Sequence, residues 1–414
     1  MHFPKLKKTS ALFLKSIAVV SVVTSVIVAA VTTHAQPLRN RAELPNMNTW
    51  EPLLGKMTPE GTADPSAVVF NHNGEEKVYV YTSTDSKDLC NTDRAIAKRY
   101  KGNGHFCMQQ YRVFTNSTAN LDARNWTTHG GLVWQASVPW ARQQTTEGHG
   151  GSATMWAPDV VKNGNTYYML FPTLAKNNHQ RIGVATASNP LGPFTARPNP
   201  ISTANGFDHV FDPSAIKVGN QWYIFYVKTG TEQARDKKTG ALRYRDNGQP
   251  LYFKSIWMAK IDSNFTSISN PRDLKLDRDS YLEGPDAYYA GNDLWVQYAS
   301  VSAEKQAKPG GGFYPAGYEL KQAVAWNNNR PDHMFDTRPG VQVHSFGTQG
   351  TKHGSVIKWK DKYFSFYHDH KSAFGAPWAF RKAMYSQVEV DANKRNQVKP
   401  FRPDRKVNVP SIGN

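Results

Sequence analysis

One short pattern occurs five times along this chain, and it constrains the fold more than any other feature. It reads DPSAVVFNHNGEEKVYVY at 64–81, APDVVKNGNTYYMLF at 157–171, FDPSAIKVGNQWYIFYV at 211–227, EGPDAYYAGNDLWVQY at 283–298 and HGSVIKWKDKYFSFY at 353–367. Each copy opens on a short polar or proline-containing signature and runs on as an apolar strand. It then turns at Gly, Asn or Asp and ends in an aromatic-rich second strand, which is a hairpin pattern. The distance from head to closing aromatic is 14 positions from 157 to 171, from 212 to 226 and from 353 to 367. It is 15 from 283 to 298, and 17 from 64 to 81, where the turn HNGEEK is longer. The second strands, such as Trp222 to Val227, are apolar nearly throughout, as expected of strands buried on both faces.

The stretches between copies also resemble one another. YRVFTNSTANLDARNW (111–126), IGVATASNPLGPF (182–194), IWMAKIDSNFTS (256–267) and QAVAWNNNRPDHMF (322–335) each read as a third strand, a polar turn and a shorter edge strand. Units of about four strands that cannot bury their own faces must stack on one another, and five of them arranged radially make a five-bladed β-propeller. The expected fold is therefore all-β, with four-stranded blades around a central channel. Insertions at 83–110 and 228–250 lengthen two blades.

In a propeller the first strand of each blade lines the channel, so the residues heading the copies converge at one end. They are Asp64, Ala157, Asp212, Glu283 and His353, with Asp159 two positions after Ala157. Three carboxylates in one funnel are costly to desolvate unless they are used. Two carboxyl groups with different protonation states are what glycosidic bond cleavage requires, one giving a proton to the leaving oxygen and one activating water. Glu283, flanked by apolar and Pro-Gly elements in LEGPDAYY, suits the acid. Asp64 across the channel suits the base, and Asp212, between them in blade order, suits a group that orients the acid and modulates its pKa.

These residues resemble glycoside hydrolase family 43, five-bladed propellers that cleave arabinose- and xylose-containing polysaccharides. The resemblance rests on TADPSAV (62–68), MWAPDVV (155–161), FDPSAI (211–216), LEGPDAYY (282–289) and KHGSVI (352–357), one per blade and in the family's order. It implies an inverting glycosidase with Asp64 as general base, Glu283 as general acid and Asp212 as modulator of that acid. For inversion the carboxyls of Asp64 and Glu283 should stand roughly 6.5–9.5 Å apart. The expected substrate is a polysaccharide or oligosaccharide, cleaved as an exo-acting α-L-arabinofuranosidase or β-xylosidase. Endo-arabinanase or another polysaccharide-cleaving propeller, and a non-catalytic carbohydrate-binding propeller, are the alternatives. Trp156 and Asp159 are candidates for substrate binding. No cofactor is required, but the resemblance makes His353 a candidate contact for a structural Ca²⁺ near the channel axis.

Lys5, Lys7, Lys8 and Lys15 precede an apolar run at 16–30, and Thr33-His34-Ala35 offers small residues for cleavage. Residues 1–35 therefore read as a secretory signal peptide, slightly short for a membrane span, so a secreted or periplasmic product with no stable membrane insertion is expected. Residues 36–60 read as an N-terminal extension, 61–392 as the propeller, and 393–414 as a basic C-terminal tail that could close it. The formal charge of +17, four units of it from the leader lysines, suits an acidic polysaccharide better than nucleic acid in an exported protein without a binding motif. The two cysteines, Cys90 and Cys107, would form a disulfide in an oxidising compartment.

Overall fold

The computed structural model describes residues 42–43, 62–84, 108, 110–133, 137–142, 155–177, 179–201, 209–233, 241–242, 252–276, 281–301, 318–324, 341–345, 353–369 and 381–399. The leader and the Cys90–Cys107 bridge expected from the sequence lie outside these residues. Strand β1 is Ala42–Glu43. Blade one is β2 (Ala63–His72), β3 (Glu75–Ser83), β4 (Tyr111–Asn116) and β5 (Thr127–His129). Blade two is β6 (Asp159–Asn163), β7 (Thr166–Leu174), β8 (Gln180–Ala187) and β9 (Thr195–Ala196). Blade three is β10 (Val210–Val218), β11 (Gln221–Gln233), β12 (Tyr252–Ile261) and β13 (Ile268–Asp273). Blade four is β14 (Tyr281–Ala290), β15 (Asp293–Val301), β16 (Tyr318–Val324) and β17 (Val341–Ser345).

Blade five is closed by both ends of the propeller. Its β18 (Gly354–Trp359), β19 (Lys362–Asp369) and β20 (Lys382–Val388) come from the C-terminal side, and β1 pairs antiparallel on the outside of β20. Ala42–Glu43, within the segment read as an extension, are thus a blade strand. A small hairpin, β21 (Val390–Asp391) and β22 (Gln397–Val398), follows blade five. The inner strands touch in a closed ring, β2 to β6, β10, β14, β18 and back to β2.

The apolar second strands are explained by this stacking. Tyr223 and Phe225 pack toward blade four with Val296 and Tyr298, while Ile224 and Tyr226 pack toward blade two with Tyr168 and Leu170. Both faces of a blade are interior, so strand alternation sorts residues between two neighbours instead of between core and water.

A second ring of contacts runs around the axis. Two positions after four of the heads, and three after Glu283, stand Ser66, Asp159, Ser214, Ser355 and Asp286. Asp159 Oδ2 accepts the Ala215 N–H at 2.7 Å, Ser214 Oγ the Ala287 N–H at 3.0 Å, Asp286 Oδ2 the Val356 N–H at 3.0 Å and Ser355 Oγ the Ala67 N–H at 2.7 Å. Ser66 Oγ closes the circle by donating to Asp159 Oδ1 at 2.9 Å. Burial pushes Asp159 up to about 6, against the hydrogen bonds it accepts. A carboxyl whose folded pKa is raised stabilises the fold below its unfolded pKa, and that contribution is lost as pH rises through about 6. Asp159→Asn, which keeps the acceptor and cannot ionise, should therefore raise Tm at pH 8, by up to about 3 kcal/mol of stability, and leave it unchanged near pH 4. An equal change in Tm at both pH values would mean that ionisation of Asp159 carries no penalty.

Candidate active site

The heads of three inner strands are β-bulges. The ladder slips between Ala63 and Ser66, between Phe211 and Ser214, and between Glu283 and Asp286. The head residue is left-handed in four blades, at the bulge in three, Asp64 at φ +51°, Asp212 at +52° and Gly284 at +57°, and just ahead of β18 in the fourth, His353 at +52°. Aspartate tolerates this region better than most side chains, and the proline that follows in three of these blades has no N–H to pair. A bulge re-aims the side chain it carries, and here it turns Asp64 and Asp212 toward the His353 imidazole.

The register corrects one expectation. The equivalent of Asp64 and Asp212 in blade four is Gly284, and Glu283 stands one position earlier, on the ring that holds Ala63, Trp156 and Phe211. Gly284 is there because the imidazole of His353 fills the space: a Cβ on it would stand 2.8 Å from His353 Cδ2.

Asp64 is 4% exposed and accepts from Arg381 Nη1 at 2.9 Å through Oδ1 and from Ser83 Oγ at 2.5 Å through Oδ2. Its own N–H donates to His368 Nδ1 at 3.1 Å. Burial pulls the Asp64 pKa up, but Arg381 with the imidazoles of His353 and His368 outweighs it and holds the carboxyl well below the usual range. His368 is itself pushed down to about 4 by burial, so it is a neutral imidazole at pH 7.

Asp212 is as buried as Asp64 and lies in a different field. Burial pushes it up to about 6; His353 opposes that, and the charges of Glu283 and Asp64 add to it. Asp212 Oδ2 accepts the Gly284 N–H at 3.1 Å, so it grips the peptide that joins Glu283 to Gly284. The Glu283 carboxylate is paired with Lys254 Nζ at 2.5 Å, and both side chains are mostly buried.

His353 lies between the two aspartates, with Nδ1 3.4 Å from Asp64 Oδ1 and Nε2 3.5 Å from Asp212 Oδ2. Both ring nitrogens thus face carboxylates, and among the described residues no three His, Cys, Asp or Glu side chains are grouped to hold a metal ion. As placed, His353 fits a bridge between two acids. Asp159, a candidate substrate contact, has both oxygens engaged between blades. Trp156 is half-buried beside the core between blades one and two, and its carbonyl accepts the Tyr111 hydroxyl at 2.5 Å.

Arg381, Ser83, His368 and Lys254 were not singled out in the sequence. The local sign of Arg381 and Lys254 is a basic residue just ahead of or opening an otherwise apolar strand, RKAMYSQV or FKSIWM.

The profile of the glycosyl hydrolases of family 43 matches residues 109–394, a span that holds Asp212, Glu283 and His353 and begins after Asp64. The chain belongs to glycosyl hydrolase family 43. It is 25% identical over 351 residues to a xylosidase/arabinosidase of Bacteroides ovatus, covering 80% of this chain and 93% of that one. It is 36% identical over 149 residues to xylosidase/arabinosidase 43A of Humicola insolens, covering 36% of this chain and 38% of that one. In fold it is similar to CoXyl43, a β-xylosidase/α-arabinofuranosidase from a compost metagenome solved with xylotriose in a calcium-free form. The TM-score is 0.56 at 21% identity, covering 86% of this chain and 98% of that one. It is likewise similar to the GH43_1 enzyme of Xanthomonas citri complexed with xylose, with TM-score 0.57 at 20% identity over 85% and 93% of the two chains. As a family 43 member the chain is a glycosidase.

Proposed function

We propose that this family 43 glycosidase is an exported, exo-acting enzyme that removes xylose or arabinose from polysaccharide or oligosaccharide ends with inversion. The observation that carries the reading is that one end of the channel pushes two aspartates in opposite directions: Asp64 is held ionised, and Asp212, beside Glu283, is raised to about 6. Asp64, held ionised, suits the base, and Asp212, which favours a proton beside Glu283 and grips the peptide after it, suits the group that modulates the acid. The relatives named for xylosidase and arabinosidase activity support the sugar class. The N-terminal leader supports export, and the positive charge supports chains that carry acidic groups.

In this mechanism the Glu283 carboxyl gives its proton to the glycosidic oxygen as the bond from that oxygen to the anomeric carbon breaks. A water on the opposite face forms the new bond to that carbon, and its proton passes to Asp64. Asp212 orients the acid through the Gly284 amide. Arg381 and Ser83 fix the base.

The test is hydrolysis of nitrophenyl α-L-arabinofuranoside and nitrophenyl β-D-xyloside by wild type and by Glu283→Ala, with the first-formed anomer read by NMR. Turnover of either substrate, an inverted product and a loss of about 10²-fold or more in the variant are expected. A folded wild-type protein that is silent on both but cuts arabinan internally would replace the exo reading with an endo one.

A further inference from the structure

Lys254 stands where a general acid ordinarily has no cation. It lies on β12, in the third strand of blade three, with Nζ 2.5 Å from Glu283 Oε1 and 4.4 Å above the ring of Phe211. The aromatic face and the carboxylate together fix the ammonium in one place, and the exposure of the two side chains is only 12% and 13%. An opposite charge this close favours the ionised form of a carboxyl, whereas a general acid must hold a proton. That conflict calls for an account, and the neighbours supply one.

Among the described residues, the charged and titratable groups around Glu283 include Lys254 from β12, Asp212 at the head of β10, which feels the Glu283 charge and holds the Gly284 N–H, and His353, whose ring abuts Gly284 ahead of β18. Asp212 is in turn biased by Asp64, Glu283 and Lys254. With both Asp212 and Glu283 ionised, the set formed with Lys254 has one uncompensated negative charge in a mostly buried place. With one proton between the two carboxyls it is neutral, the least costly state to bury. A second proton would make it cationic, and Lys254 opposes that.

We propose that Lys254 is a positioning residue that limits the Asp212–Glu283 pair to a single shared proton and, from its seat above the Phe211 ring, holds the acid carboxyl in place. The inference rests on Glu283 being the general acid. Removing the ammonium lets the pair keep its proton to higher pH, so the limb of the pH profile on which the acid is lost moves upward.

The experiment measures kcat/KM against pH for wild type, Lys254→Met, Lys254→Gln and Lys254→Arg, with Glu283→Ala assayed on aryl glycosides of graded leaving-group acidity. The basic limb should rise by about one pH unit or more in both neutral variants and stay near wild type in Lys254→Arg. Lys254→Gln provides the same reading if Lys254→Met does not fold. A basic limb that stays put in the neutral variants, while Glu283→Ala loses most on the poorest leaving groups, overturns the role of Lys254 and leaves the acid assignment intact. A loss in Glu283→Ala that is equal for all leaving groups overturns the acid assignment, and this proposal with it. A merely structural lysine would lower kcat at the optimum without moving the limb.

Discussion

Asp64→Asn should cut kcat/KM by roughly 10²–10⁴-fold, by the same factor on good and poor leaving groups, with the fold retained. Asparagine is the informative replacement for physical reasons. It tolerates the left-handed backbone that Asp64 adopts at φ +51°, and its carbonyl can still accept from Arg381 or Ser83. What it loses is basicity. A general base acts on water whatever the leaving group is, so the loss should not depend on leaving-group acidity. A general acid acts on the departing oxygen, so Glu283→Ala should lose least where the leaving group needs no proton. A loss in Asp64→Asn that grows with leaving-group pKa would exchange the two roles. Retained turnover would remove Asp64 from the chemistry altogether.

The fold was legible because the propeller repeats itself. Five hairpins with turn residues at corresponding places, each unable to bury its faces alone, leave few arrangements, and the strands observed in blades one to four follow the repeat. The carboxylates at the bulges were legible for the same reason, since Asp64 and Asp212 occupy one structural position. Glu283 shows where counting needed closer reading. The span of 15 positions from Glu283 to Tyr298, against 14 in three other copies, already said that Gly284 and not Glu283 heads blade four. The extra residue places the glutamate on the rim ring with Trp156 and Phe211. Other features leave no periodic trace. Arg381 meets Asp64 across 317 residues, and Lys254 meets Glu283 across 29, from strands whose apolar pattern gives no sign of the contact. The strand Ala42–Glu43 is too short to carry a pattern and is fixed only by pairing with Met384 and Tyr385.

Arg381→Met should give the largest loss of stability, about 3–5 kcal/mol, seen as a fall in Tm of roughly 5–10 °C. Arg381 and Asp64 are both nearly inaccessible, their side chains 4% exposed. Truncating one member of such a pair leaves a buried charge poorly compensated, which costs more than an exposed pair would. The pH dependence has a definite sign. Asp64 is depressed in the folded protein, so its ion pair contributes stability that is fully present above the unfolded pKa of an aspartate, about 3.9, and is lost as pH falls through the lower folded value. The Tm gap between wild type and Arg381→Met should therefore be complete at pH 6–8 and shrink below pH 4. The same substitution removes the strongest opponent of burial at the base, so the acidic limb of kcat/KM, where Asp64 takes up its proton, should move upward. Arg381 and Lys254 would then govern opposite limbs of one profile through opposite members of the acid–base pair. If Tm falls and the gap persists unchanged at pH 3.5, with the acidic limb unmoved, Arg381 braces the entry to β20 and does not set the charge of Asp64.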